Sequence, residues 1–486
     1  MVYDPVDAAA APSRTVVVGG GPTGLACAIM LARRGWTNIE VWERLPRPPA
    51  PTAGEWGDPN RSYCIGISGR GQVALARLGC AERVLTYCKE VNGRMDWTPE
   101  NPEGRQTLTQ GKKYVTQVIQ RDRLVSCLLE EVEEKHAGVI QVMHGVACTD
   151  VEWLGGGGAR LTREPTGRAS GVHGVGEKDT PKVAEDETVT QIETKDLDPK
   201  VVDPKTGERA VTVCVPFVVG AEGASLRNAV MSAMDSDNSG ACDTSMVRFD
   251  DANPRVYKTI PIHLPASFRT DLNYSARSKD GVALECLPTK EGLLVGILLV
   301  KPTDKETCAK LGSKASLRKY FDEDFPMFAE FVSDEDLVLM AERRMSTLPT
   351  FAYAGGGCLH RVVEAAAKAG SAPMGKQSEH GEAETKEDHV ISQARGEDED
   401  EVGGACLLGD SIHTIKPYFG LGVNSALEDV TVLDDCFTHV AGGEGVHDGQ
   451  TISGGGRWTD ALPEFSRRRA ADAKVGLLGL QRRGPL

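Results

Sequence analysis

The alternation of hydrophobic and polar positions predicts strands and helices in a regular order in the first third of the chain. Residues 14–45 read as a buried strand, a glycine-rich turn, an apolar helix and a second strand: RTVVVGG, GPTGLACAIMLARRG and TNIEVWER. Between residues 61 and 150, helical stretches such as RDRLVSCLLEEVEEKH alternate with short strands. This alternation is typical of an α/β fold built on a parallel sheet.

A second region has strand character without intervening helices. The segments VYKTIPIHL, VALECL and GLLVGILLV lie within residues 255–300, which predicts an antiparallel sheet and a second domain. Two other stretches are polar, Gly-rich or acidic, and we expect insertions there. The predicted division is a disordered lead at 1–13, a nucleotide-binding domain in three parts at 14–153, 211–239 and 405–441, an insertion at 154–210, a sheet domain at 240–350, a disordered insertion at 351–404, and a linker with a C-terminal helix at 442–486.

Length and charge narrow the class of protein. The 486 residues exceed one ordinary core, and a hydrophobic content of 40% can fill more than one. The formal net charge of −15 argues against nucleic acid or an anionic membrane surface as a partner. No apolar run reaches roughly 18 residues, so we predict no membrane span. The first 13 residues lack a basic start, which favours a disordered lead over a targeting peptide.

Thirteen cysteines are present, and none forms a C-x-x-C pair. Most lie within apolar runs, as Cys27, Cys127 and Cys406 do. We therefore predict reduced core cysteines and an intracellular, reducing compartment. The ten histidines are scattered, without an H-E-x-x-H motif or a Cys/His cluster, so the sequence predicts no metal site.

Three glycines form the pattern G-x-G-x-x-G at Gly19, Gly21 and Gly24. They follow the apolar strand TVVV and open the helix LACAIMLARR, and Glu43 ends the next strand. In this context the pattern is the dinucleotide fingerprint, in which backbone amides approach a pyrophosphate and the acidic residue binds a ribose. A plain structural turn is the alternative, and the fingerprint by itself does not distinguish NAD from FAD.

The stretch LLGDSIHTIKPYFGLGVNSALED, residues 407–429, predicts a second ligand-binding corner. Asp410 ends an apolar strand, where its carboxylate can accept hydrogen bonds from a polyol. Pro417 fixes a bend, and Gly422 allows backbone to pass close to a flat ligand. The helix that follows from Asn424 directs its positive end at the loop, which stabilises negative charge on such a ligand.

This stretch resembles the second FAD motif of the group A flavoprotein monooxygenases. Three further segments resemble motifs of the same family in the same order: GGGPTGL…VWER, QRDRLVSCLL and FVVGAEGASLR. Within the family, RSYCIGISGRGQVALARLG and GRM are similar to segments of the kynurenine 3-monooxygenase group. The resemblance implies an α/β fold, in which a Rossmann-like FAD-binding domain carries an antiparallel-sheet substrate domain of the aromatic hydroxylase type.

The resemblance also implies roles for individual residues. Arg94 would bind the substrate carboxylate, as a guanidinium can, although a lone arginine is more often simply solvated. Pro417 would lie close to the reactive edge of the flavin. Positions matched to the family's FAD contacts are Gly19, Gly21, Thr23, Gly24, Trp42, Glu43, Arg44, Gly66, Arg121, Asp410, Gly422, Val423 and Asn424.

The activity implied is that of an FAD-dependent monooxygenase, which uses NADPH and O₂ to hydroxylate a small aromatic substrate. Within the kynurenine group this substrate is L-kynurenine, an intermediate of tryptophan catabolism, and the location is cytoplasmic or mitochondrial-associated. One alternative is a hydroxylase or epoxidase acting on a phenol, an isoprenoid or a quinone precursor. Another is a non-catalytic FAD-binding protein. A halogenase is disfavoured because no two tryptophans form W-x-W.

The chain departs from the family pattern at several positions. Glu222 stands where an aspartate is usual, and Leu421 where a glutamine is common. Leu108 or Thr109 falls where kynurenine hydroxylases carry a tyrosine. The final segment resembles only the start of the family's C-terminal helices, which predicts either an incomplete substrate pocket or a truncated sequence. The resemblance therefore supports FAD binding more strongly than kynurenine specificity.

Overall fold

A computed structural model shows how these segments fold. It describes residues 11–53, 63–109, 111, 113–155, 157–166, 210–224, 228–236, 243–248, 254–349, 352–354, 356–363, 402–416, 420–442, 446–447, 450–451 and 456–481.

The strands of the described residues, in chain order, are β1 Thr15–Val18, β2 Ile39–Glu43, β3 Cys64–Ile67, β4 Lys89–Val91, β5 Gly93–Thr98, β6 Asn101–Leu108, β7 Thr116–Gln120, β8 Ile140–His144, β9 Val146–Trp153, β10 Ala159–Pro165, β11 Val211–Val215, β12 Phe217–Gly220, β13 Met246–Arg248, β14 Val256–His263, β15 Leu272–Arg277, β16 Ala283–Pro288, β17 Leu293–Val300, β18 Ser346–Thr347, β19 Ala352–Ala354, β20 His360–Val363, β21 Gly403–Leu407, β22 His413–Thr414, β23 Val446–His447 and β24 Gln450–Thr451.

The α-helices are α1 Pro22–Arg33, α2 Gly69–Arg77, α3 Ala81–Thr86, α4 Arg121–Lys135, α5 Ala229–Asp235, α6 Lys305–Lys310, α7 Lys314–Asp324, α8 Pro326–Ala329, α9 Asp334–Glu342, α10 Gly422–Gly442 and α11 Ala461–Gln481. Within the described part of the chain, two short 3₁₀ helices cover Gly409–Ser411 and Trp458–Asp460.

A six-stranded sheet forms the centre of the first layer, in the order β20-β21-β12-β1-β2-β8. The five strands from β21 to β8 are parallel, and β20 pairs antiparallel at the edge. All four residues of β1 are buried, as expected for a central strand covered on both faces. Helices α1, α4, α10 and α11 contribute to the same hydrophobic core, which gives the predicted Rossmann-like architecture.

A second, seven-stranded sheet has the order β18-β14-β17-β16-β15-β5-β6. Its pairings are antiparallel except for the parallel pair β15–β5. One face packs on helices α7–α9 through a separate core that includes Leu284, Leu298 and Phe321. Together the two sheets confirm the predicted fold class.

Strands β5 and β6 belong to this second sheet, although they lie inside the range 14–153 that we assigned to the nucleotide-binding domain. Similarly, β10 and β11 pair with β9 at the borders of the predicted 154–210 insertion. Residues 167–209 and 364–401, the larger parts of the two predicted insertions, lie outside the described residues, as do residues 1–10.

The cysteines of the described residues differ from the prediction at one position. Eleven are free, and most of these are buried. Cys358 is disulfide-bonded, so the prediction of reduced cysteines is wrong there. Sequence spacing could not reveal this bond, because the approach of two cysteines depends on the tertiary fold. No helix of the described part combines the length and the apolar character needed to cross a membrane.

The turn between β1 and α1 is possible only with glycine at two positions. Gly19 has φ +109°, and a Cβ there would lie 2.3 Å from the Ala221 carbonyl oxygen. A Cβ on Gly24 would lie 1.8 Å from the Gly19 carbonyl oxygen. These contacts are with backbone, which cannot move aside cheaply. Gly24 therefore serves close packing of helix on turn.

We expect Gly24→Ala to destabilise the protein by about 3 kcal/mol, because the added methyl overpacks a buried turn. Gly138→Ala is the matched control, since a Cβ there meets nothing within 4 Å. Urea unfolding of both variants measures the difference. Equal stabilities for the two variants would refute the packing role of Gly24.

Candidate functional site

A cavity of about 690 Å³ lies between the parallel sheet and the second sheet. This size is within the range of cofactor and ligand sites. Most of the site residues predicted from the sequence line it: Gly19, Gly21, Thr23, Trp42, Glu43, Arg44, Gly66, Arg94, Arg121, Asp410, Gly422 and Val423. Gly24 and Asn424 do not line it, and Pro417 lies outside the described residues.

The glycine turn and the start of α1 form one end of the cavity. Helix α1 begins at Pro22, after Gly21, without a side-chain cap. Its first amide groups are therefore left for a ligand, at the positive end of the helix dipole. A Cβ on Gly21 would have only Arg121 Nη2 nearby, at 3.8 Å, so the absent side chain leaves open space above the turn. These features fit the pyrophosphate of a dinucleotide.

Glu43 is held in place by backbone donors on both sides. Its Oε2 accepts a hydrogen bond from the Gly20 N–H at 2.7 Å, and its Oε1 accepts one from the Leu45 N–H at 2.8 Å. A carboxylate has about four acceptor positions, so capacity remains for ribose hydroxyls. The structure thus places Glu43 and the glycine turn side by side at the cavity wall.

Trp42 and Arg121 make different contributions. The Trp42 ring is 1% exposed and donates its Nε1–H to Glu40 at 2.9 Å, so it mainly supports the wall from behind. Arg121 begins α4 and contacts Asp122 at 2.9 Å. Burial lowers the pKa of Arg121, but Asp122, Tyr63 and Glu43 outweigh it, and the net pKa is raised. Arg121 therefore supplies a permanent positive charge to the cavity.

Asn424 positions the second glycine corner without lining the cavity. It is 0% exposed, and its Oδ1 accepts from the Ser68 N–H at 2.7 Å. Its Nδ2 donates to the carbonyl oxygens of Gly66 and Gly420, each at 2.8 Å. A single amide thereby ties β3, the loop ahead of α10 and the first turn of α10 together.

A buried charge network lies beneath the Asp410 loop. Asp429 Oδ2 accepts hydrogen bonds from the Gly409 N–H and from His413 Nε2, both at 2.8 Å. Its Oδ1 accepts from Arg469 Nε, and Arg469 also donates to Ser425. Sequence reasoning missed Asp429 and Arg469. The only signal for Arg469 was the run RRR at 467–469, in which nothing singles out one arginine.

The network sets the protonation of its members. Burial lowers the pKa of His413, but the charge and hydrogen bond of Asp429 outweigh burial, and the pKa is raised. Burial raises the pKa of Asp429, but His413 and Arg469 outweigh it, and the pKa is lowered. Both groups are thus favoured in their charged forms. Asp410 differs, because burial dominates and raises the pKa of its carboxyl.

Glu222, the residue that departs from the family aspartate, lines the cavity and closes a helix end. Its Oε1 and Oε2 accept hydrogen bonds from the Ala229 and Val230 amides at 3.0 and 3.1 Å. Burial raises the pKa of Glu222 to about 7, even though these hydrogen bonds oppose the shift. The longer side chain therefore serves as a cap of α5.

The far end of the cavity is formed by the second sheet. Arg94 lies there with its Nε 2.7 Å from Asp96 Oδ1. Three tyrosines that sequence reasoning missed, Tyr63, Tyr257 and Tyr274, also line the cavity. Burial raises the pKa of Tyr63 to about 12, so its hydroxyl stays protonated at neutral pH. Within the described ranges, His, Cys, Asp and Glu form no group of three or more suited to a metal ion.

We expect Arg469→Met to destabilise the protein by about 3–5 kcal/mol, because it removes one of the two charged partners of the buried Asp429 carboxylate. Arg467→Met is the control on the same helix, since the Arg467 side chain is 55% exposed and exposed ion pairs contribute little. Chemical unfolding of both variants checks this. A loss no larger than that of the control would contradict the importance of the buried pair.

Glu222 generates a pH prediction. The unfolded chain loses this proton near pH 4.5, whereas the folded protein keeps it up to about pH 7. The folded state then binds more protons, so stability falls as pH rises through this window. Relative to Glu222→Gln, we expect the free energy of unfolding of the parent protein to fall by about 3 kcal/mol between pH 4.5 and 7.5. Parallel stability profiles for the two proteins would exclude a raised pKa at Glu222.

Among curated proteins, the chain is similar to several that share one name. Kynurenine 3-monooxygenase of Salinispora arenicola is 26% identical over 429 residues, covering 87% of this chain and 72% of the relative. That of Myxococcus xanthus is 24% identical, covering 94% and 74%. That of Cryptococcus neoformans is 24% identical, covering 86% and 68%. No protein-family model matches the chain.

Solved structures show the same fold at lower identity. The tetrameric form of 2-methyl-3-hydroxypyridine-5-carboxylic acid oxygenase has a TM-score of 0.56 at 14% identity, covering 95% of this chain and 88% of the other. Pseudomonas aeruginosa PqsL in complex with 2-aminobenzoylacetate has a TM-score of 0.54 at 14% identity, covering 96% and 93%. A Klebsiella pneumoniae HpxO variant complexed with FAD has a TM-score of 0.53 at 14% identity, covering 97% and 89%. The chain is thus a homologue of curated kynurenine 3-monooxygenases and has the fold of the FAD-dependent aromatic monooxygenases.

Proposed function

We propose that this protein is an FAD-dependent monooxygenase that uses NADPH and O₂ to hydroxylate an aromatic substrate, and that this substrate is L-kynurenine, giving 3-hydroxykynurenine. The observation that carries the proposal is one cavity with two chemically different ends. An uncapped helix start and Glu43 lie at one end, and a sheet wall with Arg94 lies at the other. The names of the curated relatives support the same activity.

The residues present fit FAD. The open space over Gly21 and the uncapped N-terminus of α1 suit a pyrophosphate, and the Glu43 carboxylate suits ribose hydroxyls. Arg44, Arg121 and Asp410 line the same cavity. When bound, FAD would supply the chemistry by which electrons from NADPH activate O₂ for oxygen transfer to an aromatic ring.

The chain's own task is to bind, orient and shield. Gly422 and Val423, at the start of α10, line the cavity, and the positive end of this helix favours negative charge on a ring system bound there. Asn424 and the Asp429 network hold this corner in place. Binding, orienting and shielding a ligand need no nucleophilic side chain, in keeping with the lack of a Ser-His-Asp pattern in the sequence.

Arg94 is the proposed carboxylate-binding residue for L-kynurenine. Asp96 holds its guanidinium through Nε and Nη2, which fixes the direction of the group. The remaining Nη1 donors can bind a substrate carboxylate in a charge-assisted hydrogen bond. The side chain is 48% exposed, so a ligand entering the cavity can reach it.

The test uses the purified full chain. We expect a yellow protein whose NADPH oxidation accelerates with L-kynurenine and yields 3-hydroxykynurenine. We expect Arg94→Met to raise the KM for L-kynurenine at least about tenfold with FAD content unchanged. If the protein is yellow but L-kynurenine does not accelerate its NADPH oxidation, the substrate is instead a phenol, an isoprenoid or a quinone precursor. A colourless protein that takes up no FAD would overturn the proposal as a whole.

A further inference from the structure

The cavity-facing side of the second sheet carries a row of polar residues. Arg94 on β5 pairs in register with Asn273 on β15, and Ser275 on β15 pairs with Glu285 on β16. Residues two apart along a strand share a face, so all four side chains project from the same side of the sheet. All four also line the cavity. The opposite side packs on helices α7–α9.

Glu285 is the only carboxylate among these four residues. Its Oε1 accepts a hydrogen bond from Ser275 Oγ at 2.9 Å. Burial raises the pKa of Glu285, and the positive charges of Arg94 and Arg277 oppose that rise. Ser275 supplies one donor, whereas a carboxylate can accept about four hydrogen bonds. The group therefore has acceptor capacity for a ligand.

Arg94 and Glu285 lie close enough to affect each other. Glu285 is one of the charges that raise the pKa of Arg94, and Arg94 lowers that of Glu285. Asn273, between their strands, has a side-chain Oδ1 without a hydrogen-bond partner in the described part of the chain. This face of the second sheet thus carries the positive charge of Arg94, the negative charge of Glu285 and the unpaired acceptor of Asn273.

We propose that Glu285 is a specificity-determining residue, which binds the ammonium group of an α-amino acid substrate while Arg94 binds its carboxylate. This inference rests on the proposed function and specifies its substrate class. A zwitterion offers a charged group to both Arg94 and Glu285, whereas a plain carboxylic acid offers no donor to the remaining acceptor positions of Glu285. Sites that hold a buried polar group reject analogues that cannot satisfy it.

The test compares two ligands that differ only at the α-amino group. These are L-kynurenine and its desamino analogue, 4-(2-aminophenyl)-4-oxobutanoate. We expect the FAD-loaded parent protein to bind L-kynurenine at least about tenfold more tightly. In Glu285→Gln this preference should fall to within about threefold, through weaker binding of L-kynurenine alone. Calorimetry gives the Kd values, and NADPH oxidation gives the KM values.

Three further measurements separate recognition from structure. Glu285→Asp keeps the charge and should restore part of the preference for L-kynurenine. Glu323→Gln is the control, since that glutamate is 62% exposed on α7, and its ligand preference should equal that of the parent protein. FAD content and melting temperature verify that each variant is folded.

The outcomes distinguish this inference from the proposed function. If Glu285→Gln weakens both ligands equally, or neither, Glu285 does not recognise the ammonium group, while the activity with L-kynurenine stands. A parent protein that binds FAD but not L-kynurenine overturns both the proposed substrate and the role of Glu285. Selective loss of L-kynurenine binding in Glu285→Gln, with rescue by Glu285→Asp, supports the inference.

Discussion

The Asp429 carboxylate is the interaction on which the position of the Asp410 loop and the start of α10 depends. It accepts hydrogen bonds from the Gly409 amide, the His413 imidazole and the Arg469 guanidinium, and it is fully buried. A buried carboxylate is stable only when charges and donors surround it. The loop of Asp410, helix α10 and helix α11 must therefore be in place together. This requirement makes the geometry of the corner a property of three distant segments.

Charged side chains are also held by neighbouring groups at the opposite end of the cavity, on the second sheet. There the second sheet presents polar side chains on one face and apolar side chains on the other, because successive residues of a strand alternate. Arg94 is held by Asp96, and Glu285 is held by Ser275. Each charged group keeps some capacity for a ligand. A charged group that is held in place but can still form hydrogen bonds suits substrate recognition better than structural ion pairing.

Two of the residues predicted to bind the cofactor, Gly24 and Asn424, do not line the cavity. Gly24 has no side chain because the Gly19 carbonyl occupies that space. Asn424 uses both ends of its amide on backbone groups of neighbouring segments. A motif match identifies such residues without showing what they touch. Their contribution is to hold the glycine turn and the loop ahead of α10 in place.

The sequence by itself determined the local structural elements of this protein. The strand–turn–helix–strand unit, the acid at the end of β2 and the two glycine corners are encoded by neighbouring residues, since turn geometry and helix starts depend on local spacing. The tertiary structure alone decided that β5 and β6 join the second sheet, that Arg469 pairs with Asp429, and that Glu285 lies on the wall with Arg94. These pairings join segments far apart in the chain. They depend on sheet register and helix packing, which no local pattern specifies.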